Sequence, residues 1–342
     1  MSKSHNIRQL AYLISTKNHS NFFDARFSAN HIFQGSRAVK DTQVVEYIKQ
    51  LFDQSMYSEL QNWSALHEFK KKITQWILGH DSNTVIGLEK YSADYSAGTT
   101  QSFDSFYFRH CTRRFRCYSG EYFYHLKTWI SNRASWSFIT DSDPIASNDA
   151  VVISMPFCDT GSAHPEFLNI IQQCESLNVP VLIDCCYYPI SSGITLDLSA
   201  GCIDTVAFSI SKAFPVANLR IGVRYTKDTF DGQKLHDSIN YNNNLSAYIG
   251  TKIIEQFPCS YIYKRYIQQQ KQVCEYFNLT ASDSVLFAIG DSDWDLYSRK
   301  NLLNVYKLQL DPADFNNRIS LVSIFDHWDL FEKIKNETAD NI

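Results

Sequence analysis

The stretch DTVAFSISKAFPVANLRIG, residues 204–222, decides how the rest of the chain is read. Its first half is an apolar run without polar alternation, the pattern of a strand covered on both faces. The run ends on Ser209-Ile210-Ser211-Lys212, and Arg220 stands eight residues after the lysine. In open parallel sheets, ligands sit beyond the carboxyl ends of the strands. A strand that ends in two hydroxyls and an amine, with a guanidinium close behind, is equipped for such a ligand.

Upstream and downstream the same texture continues. Short apolar runs at 85–88, 135–140, 150–155, 179–183, 205–210 and 221–225 read as strands. Helical patterns separate them, as at 165–177, where Phe167, Leu168, Ile171 and Cys174 fall on one side. Strand–helix alternation of this kind predicts an α/β fold: a mostly parallel central sheet with helices on both faces. Before it, residues 41–80 read as helix, with Val44, Val45, Ile48 and Leu51, then Leu66, Phe69, Ile73 and Trp76, at helical spacing. After about 235 the pattern turns helical again, then gives strand-like pieces at 285–289, 305–310 and 318–324. The expected organisation is a helical segment over 1–80, a large domain over 81–235 and a smaller α+β domain over 236–342.

A chain of 342 residues, 44% hydrophobic and 20% charged, is of ordinary globular composition and can bury a large core. A formal net charge of -4 without any arginine-rich run argues against a nucleic-acid partner. No apolar run approaches the roughly 20 residues needed to cross a bilayer. The nine cysteines form no C-x-x-C pair, so no zinc or dithiol motif is indicated. Reduced thiols in a cytoplasmic protein are expected.

Other polar residues fall where strands end. VPVLID closes on Asp184, with Tyr187 three residues on. VVISMP runs into Phe157-Cys158-Asp159-Thr160-Gly161. Gly98-Thr99-Thr100 stands where a strand-like segment turns into a helix. Singly, each is more often a cap or turn residue than a ligand. Their order and spacing together resemble the fold-type I pyridoxal-phosphate (PLP) enzymes, class I/II aminotransferase family. The match is Ser209-x-Ser211-Lys212, Arg220-x-Gly222, and Asp184-Cys185-Cys186-Tyr187 placed 28 residues before the lysine. It covers about residues 85–225 and recurs near Arg318.

The resemblance implies a role for each residue. Lys212 would hold the PLP aldehyde as a Schiff base and move protons. Asp184 would pair with the pyridine nitrogen, and Tyr187 would hydrogen-bond the ring's phenolic oxygen. Arg220, Ser209, Ser211, Gly98, Thr99 and Thr100 would bind the phosphate. Tyr122, in GEYFYH, would stack on the ring, with His125 supporting Asp184 from behind. Arg318, in Asn317-Arg318-Ile319-Ser320, would grip a substrate α-carboxylate. Tyr57 would reach a neighbouring subunit's phosphate in a homodimer.

The chain also departs from the family. Cys158 stands where an asparagine usually donates to the ring, and a thiol is a weak donor. The expected activity is therefore that of a PLP-dependent enzyme on an α-amino acid, an aminotransferase first. A lyase or cyclase on the same scaffold is the alternative.

Overall fold

Helical spacing in the early part of the chain does produce helices. The computed structural model describes residues 3–18, 32–53, 64–227 and 230–339. Its first elements are α1 (Lys3–Asn18), α2 (Thr42–Asp53) and α3 (Ala65–Leu78). Val44, Leu51, Leu66, Phe69 and Ile73 are buried on them. Tyr57 lies outside the described residues. Then follow β1 (Thr84–Ile86), β2 (Ser92–Ser96), α4 (Thr99–Arg109), β3 (Arg114–Cys117), α5 (Phe123–Ser131) and β4 (Trp136–Phe138). Next are β5 (Asp149–Ser154), α6 (Phe167–Leu177), β6 (Val181–Asp184), β7 (Thr195–Asp197), β8 (Ile203–Ser209) and β9 (Gly222–Thr226). The remainder holds α7 (Gly232–Ser238), α8 (Asn244–Gln256), α9 (Tyr261–Phe277), β10 (Thr280–Ala281) and β11 (Phe287–Ile289). It ends in α10 (Leu302–Tyr306), β12 (Arg318–Ser320), α11 (Val322–Phe325) and α12 (Trp328–Ala339).

Seven strands form the main sheet in the order β2-β9-β8-β6-β5-β3-β4. Only β9 runs against the others, pairing antiparallel with both β8 and β2. Successive side chains of a strand point to opposite faces, and here both faces are dry. Val151 and Ile153 of β5 join one hydrophobic cluster with α3, α6 and α8. Ala150 and Val152 join another with Phe103 and Phe106 of α4 and Phe123, Leu126 and Trp129 of α5. This is why the β5, β6 and β8 segments read as unbroken apolar runs. A second, three-stranded antiparallel sheet, β10-β11-β12, lies in the C-terminal part. Among the described residues no helix is long and apolar enough to cross a membrane.

Four local expectations are corrected. Of the 85–88 run only Val85 and Ile86 are extended, in β1, because Gly87 is left-handed and Leu88 begins a 3-10 turn; β1 pairs with β7 outside the main sheet. The 305–310 run is no strand: α10 ends at Tyr306, Lys307 takes a left-handed conformation, and Leu303 and Leu308 pack under α5. Only 318–320 of the 318–324 run is extended, because α11 starts at Val322. On α6, Leu168 faces solvent and Ile170 takes the inward place.

Three strands, β3, β7 and β10, were not expected. β3 reads RFRC, and its arginines disguise it. Arg116 is fully buried, and it donates to Asp149 Oδ2 (2.7 Å) and to the carbonyls of Ser137, Phe138, Asp143 and Pro144. Arg114 adds a second pair to Asp149, at 2.8 Å. Buried charges persist only when paired in this way.

Candidate functional site

The carboxyl ends of β5, β6 and β8 are the geometric origin of the site. Ser154 and Asp184 are register partners at two of these ends, and Ser209 closes the third. Above them lies a hollow of about 510 Å³, including its open mouth. From the β8 end come Ser211, Lys212 and Arg220; from β6, Asp184, Cys186 and Tyr187; from β5, Ser154, Pro156 and Cys158. Thr99 and Thr100 enter at the start of α4, and Tyr122 at the start of α5.

One end of the hollow is built for an anion. Arg220 Nη2 donates to Thr100 Oγ1 at 3.0 Å, beside the N-terminus of α4. Unsatisfied amides and the helix dipole favour negative charge there. Gly98 precedes the helix with φ of 73°, and a β-carbon at that position would collide with the Arg220 guanidinium. Glycine is therefore needed twice over, for the backbone conformation and for the close approach. Arg220 itself has a left-handed φ of 55°. Gly98 and Ser209 do not line the hollow. Ser209 stands behind its wall, where its hydroxyl meets Ser211 Oγ (2.8 Å), donates to the Ile221 carbonyl and accepts from the Ser211 amide.

The opposite part is built from buried carboxyls. Asp184 is pushed up to about 7, first by burial and then by the Glu121 carboxylate; its Oδ1 accepts the Cys186 amide at 3.0 Å. Glu121 is also pushed up to about 7 by burial, against the hydrogen bonds it receives from the amide and hydroxyl of Ser154. Its acidic partner role had no signature in the sequence. His125 lies edge-on to Tyr122, with ring centroids 5.9 Å apart. Its Nδ1 is hydrogen-bonded to Tyr107 Oη, while its buried Nε2 has no partner among the described residues. Burial holds it down at about 3, so the imidazole is neutral.

Lys212 Nζ donates to Ser36 Oγ at 3.0 Å. Beyond it a second hollow, of about 740 Å³, opens past Lys212 and Tyr187 toward Arg299, Tyr306 and Arg318. Arg318, on β12, is buried beneath the Phe287 ring. It donates to Tyr187 Oη (3.0 Å) and to the Cys158 carbonyl, and its Nε has no partner among the described residues. Cys158 Sγ lies 3.6 Å from Tyr187 Oη. Arg299 is the contrasting neighbour: it donates to Asp159 at 3.0 Å and to the carbonyls of Gly120 and Glu121, and it lies over the Phe123 ring. The only hint of it in the sequence was Asp159, a charge in the otherwise uncharged turn 156–162. Ser36 had no hint at all. The structure thus gathers Thr99, Thr100, Tyr122, Cys158, Asp184, Tyr187, Ser211, Lys212 and Arg220 about one hollow, and seats Arg318 on the hollow beside it.

No family model and no curated protein matches the chain. Solved structures do match it. The PLP-bound C-S lyase from Staphylococcus hominis is 11% identical over 94% of this chain and 95% of that one, with a TM-score of 0.63. The histidinol-phosphate aminotransferase from Clostridium acetobutylicum is 12% identical over 90% and 99%, with a TM-score of 0.59. A putative PLP-dependent β-cystathionase from Corynebacterium diphtheriae is 11% identical over 94% and 97%, with a TM-score of 0.58. At such identities the likeness concerns architecture, and by that measure the chain has the fold of the fold-type I PLP-dependent enzymes.

Proposed function

We propose that this protein is a PLP-dependent enzyme acting on an α-amino acid, and that it is an aminotransferase. The observation that carries the reading is the convergence of Lys212, Asp184, Tyr187 and Arg220 on one hollow. The hollow suits the cofactor at both ends. The cradle formed by Thr99, Thr100, Ser211 and Arg220, with Gly98 making room for the guanidinium, has the donors that a phosphate needs. Asp184, buried without a cation bonded to it, suits a protonated ring nitrogen.

Bound there, PLP supplies an electron sink for negative charge developing at the substrate's α-carbon. The chain's own residues do the rest. Lys212 Nζ would hold the cofactor aldehyde, and its amine would be the group to move the α-proton. Tyr187 Oη, which has Arg318 and Cys158 as neighbours, would donate to the ring's phenolic oxygen. Tyr122, which lines the hollow, would cover a ring face. Arg318 takes the substrate α-carboxylate, with an Nε that no protein group uses. Phe123 and Tyr306 line the outer hollow, where water is displaced by the substrate side chain.

The reading extends to a homodimer in the cytoplasm, with the large domain at 81–235, the small one at 236–342, and 1–80 shared between the small domain and dimer contacts. Free thiols at all nine cysteines support a reducing compartment. The architecture serves lyases as well as aminotransferases among its neighbours, so the test must separate the two. PLP-loaded protein is mixed with single amino acids and no oxo acid. Stoichiometric conversion of the cofactor to its pyridoxamine form is expected. Repeated turnover with release of ammonia would replace the aminotransferase reading with the lyase or cyclase. For the anchor, Lys212→Ala should abolish borohydride-trapped PLP; full trapping in that variant would overturn the assignment.

A further inference from the structure

Ser36 belongs to no element of the main sheet, yet its hydroxyl is the group that holds Lys212. The Nζ–Oγ distance is 3.0 Å, and Ser36 shares the lining of both hollows with Lys212 and Tyr187. Ser36 is thus the amine's hydrogen-bond partner at the point where the two hollows adjoin. An unbranched four-carbon stem leaves a lysine amine many rotamers. A fixed acceptor selects among them, and a preorganised group reacts faster than one that must first be found in the right place.

The segment that carries Ser36 is itself held. The Ser320 amide donates to the Phe33 carbonyl at 2.7 Å, and Ser323 Oγ donates to the Ile32 carbonyl at 2.9 Å. On the far side, Asp326 accepts Arg37 and the Lys40 amide. Ser36 is therefore gripped from before and behind by β12, α11 and the residue after it. A serine on a loose loop could not orient an amine; this one is on a tethered loop.

We propose that Ser36 is a positioning residue for Lys212: its hydroxyl aims Nζ into the hollow and toward Tyr187. The inference rests on the reading of Lys212 as the cofactor anchor. Position 36 can be tested on the step that uses the free amine. In that step Nζ bonds to the aldehyde carbon, and the aldehyde oxygen leaves as water.

Cofactor-free wild type, Ser36→Ala and Ser36→Thr are mixed with PLP, and trapping with borohydride is followed in time and mapped to residue 212. Ser36→Ala should capture PLP about tenfold more slowly, the scale of one lost hydrogen bond, and reach the same final stoichiometry. Ser36→Thr keeps the hydroxyl and should restore the rate to within about threefold. Thermal melting of each variant separates loss of the amine's partner from loss of fold. Equal capture rates in wild type and Ser36→Ala would overturn the proposal. So would a slow Ser36→Thr that melts like wild type. If wild type itself captures no PLP at Lys212, the proposed function fails, and the two failures are distinguishable.

Discussion

The two ends of the central sheet both bury charge, but they settle it differently. At the amino ends of β3 and β5, Arg114 and Arg116 meet Asp149 and Asp143. Burial alone would raise Asp149, but its bonds from Arg114, the Ala146 amide and Arg116 outweigh burial and lower it. At the carboxyl ends, Asp184 and Glu121 are buried close together and both are raised. Arg318 has no carboxylate partner among the described residues. A closed charge network is architecture. An open one leaves room for a ligand's charges to complete it.

Breaking the closed end should cost the most. Arg116→Ala strands Asp149 without one of its partners and should lower unfolding free energy by about 3–5 kcal/mol. Urea denaturation of the cofactor-free protein reads this directly. If Arg116→Ala is as stable as wild type, the contrast between the two ends fails.

The open end should answer in binding rather than in fold. Arg318→Ala should raise KM for an amino acid about a hundredfold, the loss of a charge-assisted carboxylate grip, with Tm changed by only about 2 °C. A variant that unfolds as Arg116→Ala does, with KM intact in what remains, would move Arg318 to the structural class.

The smallest effect is a pH signature. Between about pH 4 and 7 folded Asp184 keeps a proton that the unfolded chain has lost. Stability of the cofactor-free protein therefore falls as pH rises through that window. Asp149 has the opposite sign: its contribution is present above the ordinary carboxylate range and is lost on acidification. Asp184→Asn should flatten the decline between pH 4 and 7 and raise Tm at pH 8 by about 2–5 °C. Melting curves across pH that overlay those of wild type would show that the site's carboxyl is not strained by burial.

Much of the open end was legible in the sequence, because its residues are spaced by one backbone turn. Lys212 and Arg220 stand on the excursion between β8 and β9, whose ends are paired as Ser209 with Gly222. The pairing fixes the spacing, so the spacing can be recognised. Asp184 and Tyr187 are likewise local to the end of β6. Partners supplied from afar left no local trace. Asp149 reaches Arg116 across 33 residues, and without it RFRC does not read as a strand. Ser36 meets Lys212 across 176 residues. The run at 305–310 misled in the other direction. Val305, Leu308 and Leu310 suggest extended backbone, but the left-handed Lys307 turns the chain so that Leu308 packs under α5.

The tether of the Ser36 segment also has a consequence for synthesis. Ile32 and Ser323 are joined although 291 residues separate them. During translation from the amino end, residues 32–40 leave the ribosome early and wait for β12 and α11. The main sheet, with Lys212 and Arg220, is complete by Thr226. A nascent chain can therefore assemble the hollow around Arg220 and Thr100 before the wall facing Lys212. The site closes last where residues 32–40 meet residues 320–326.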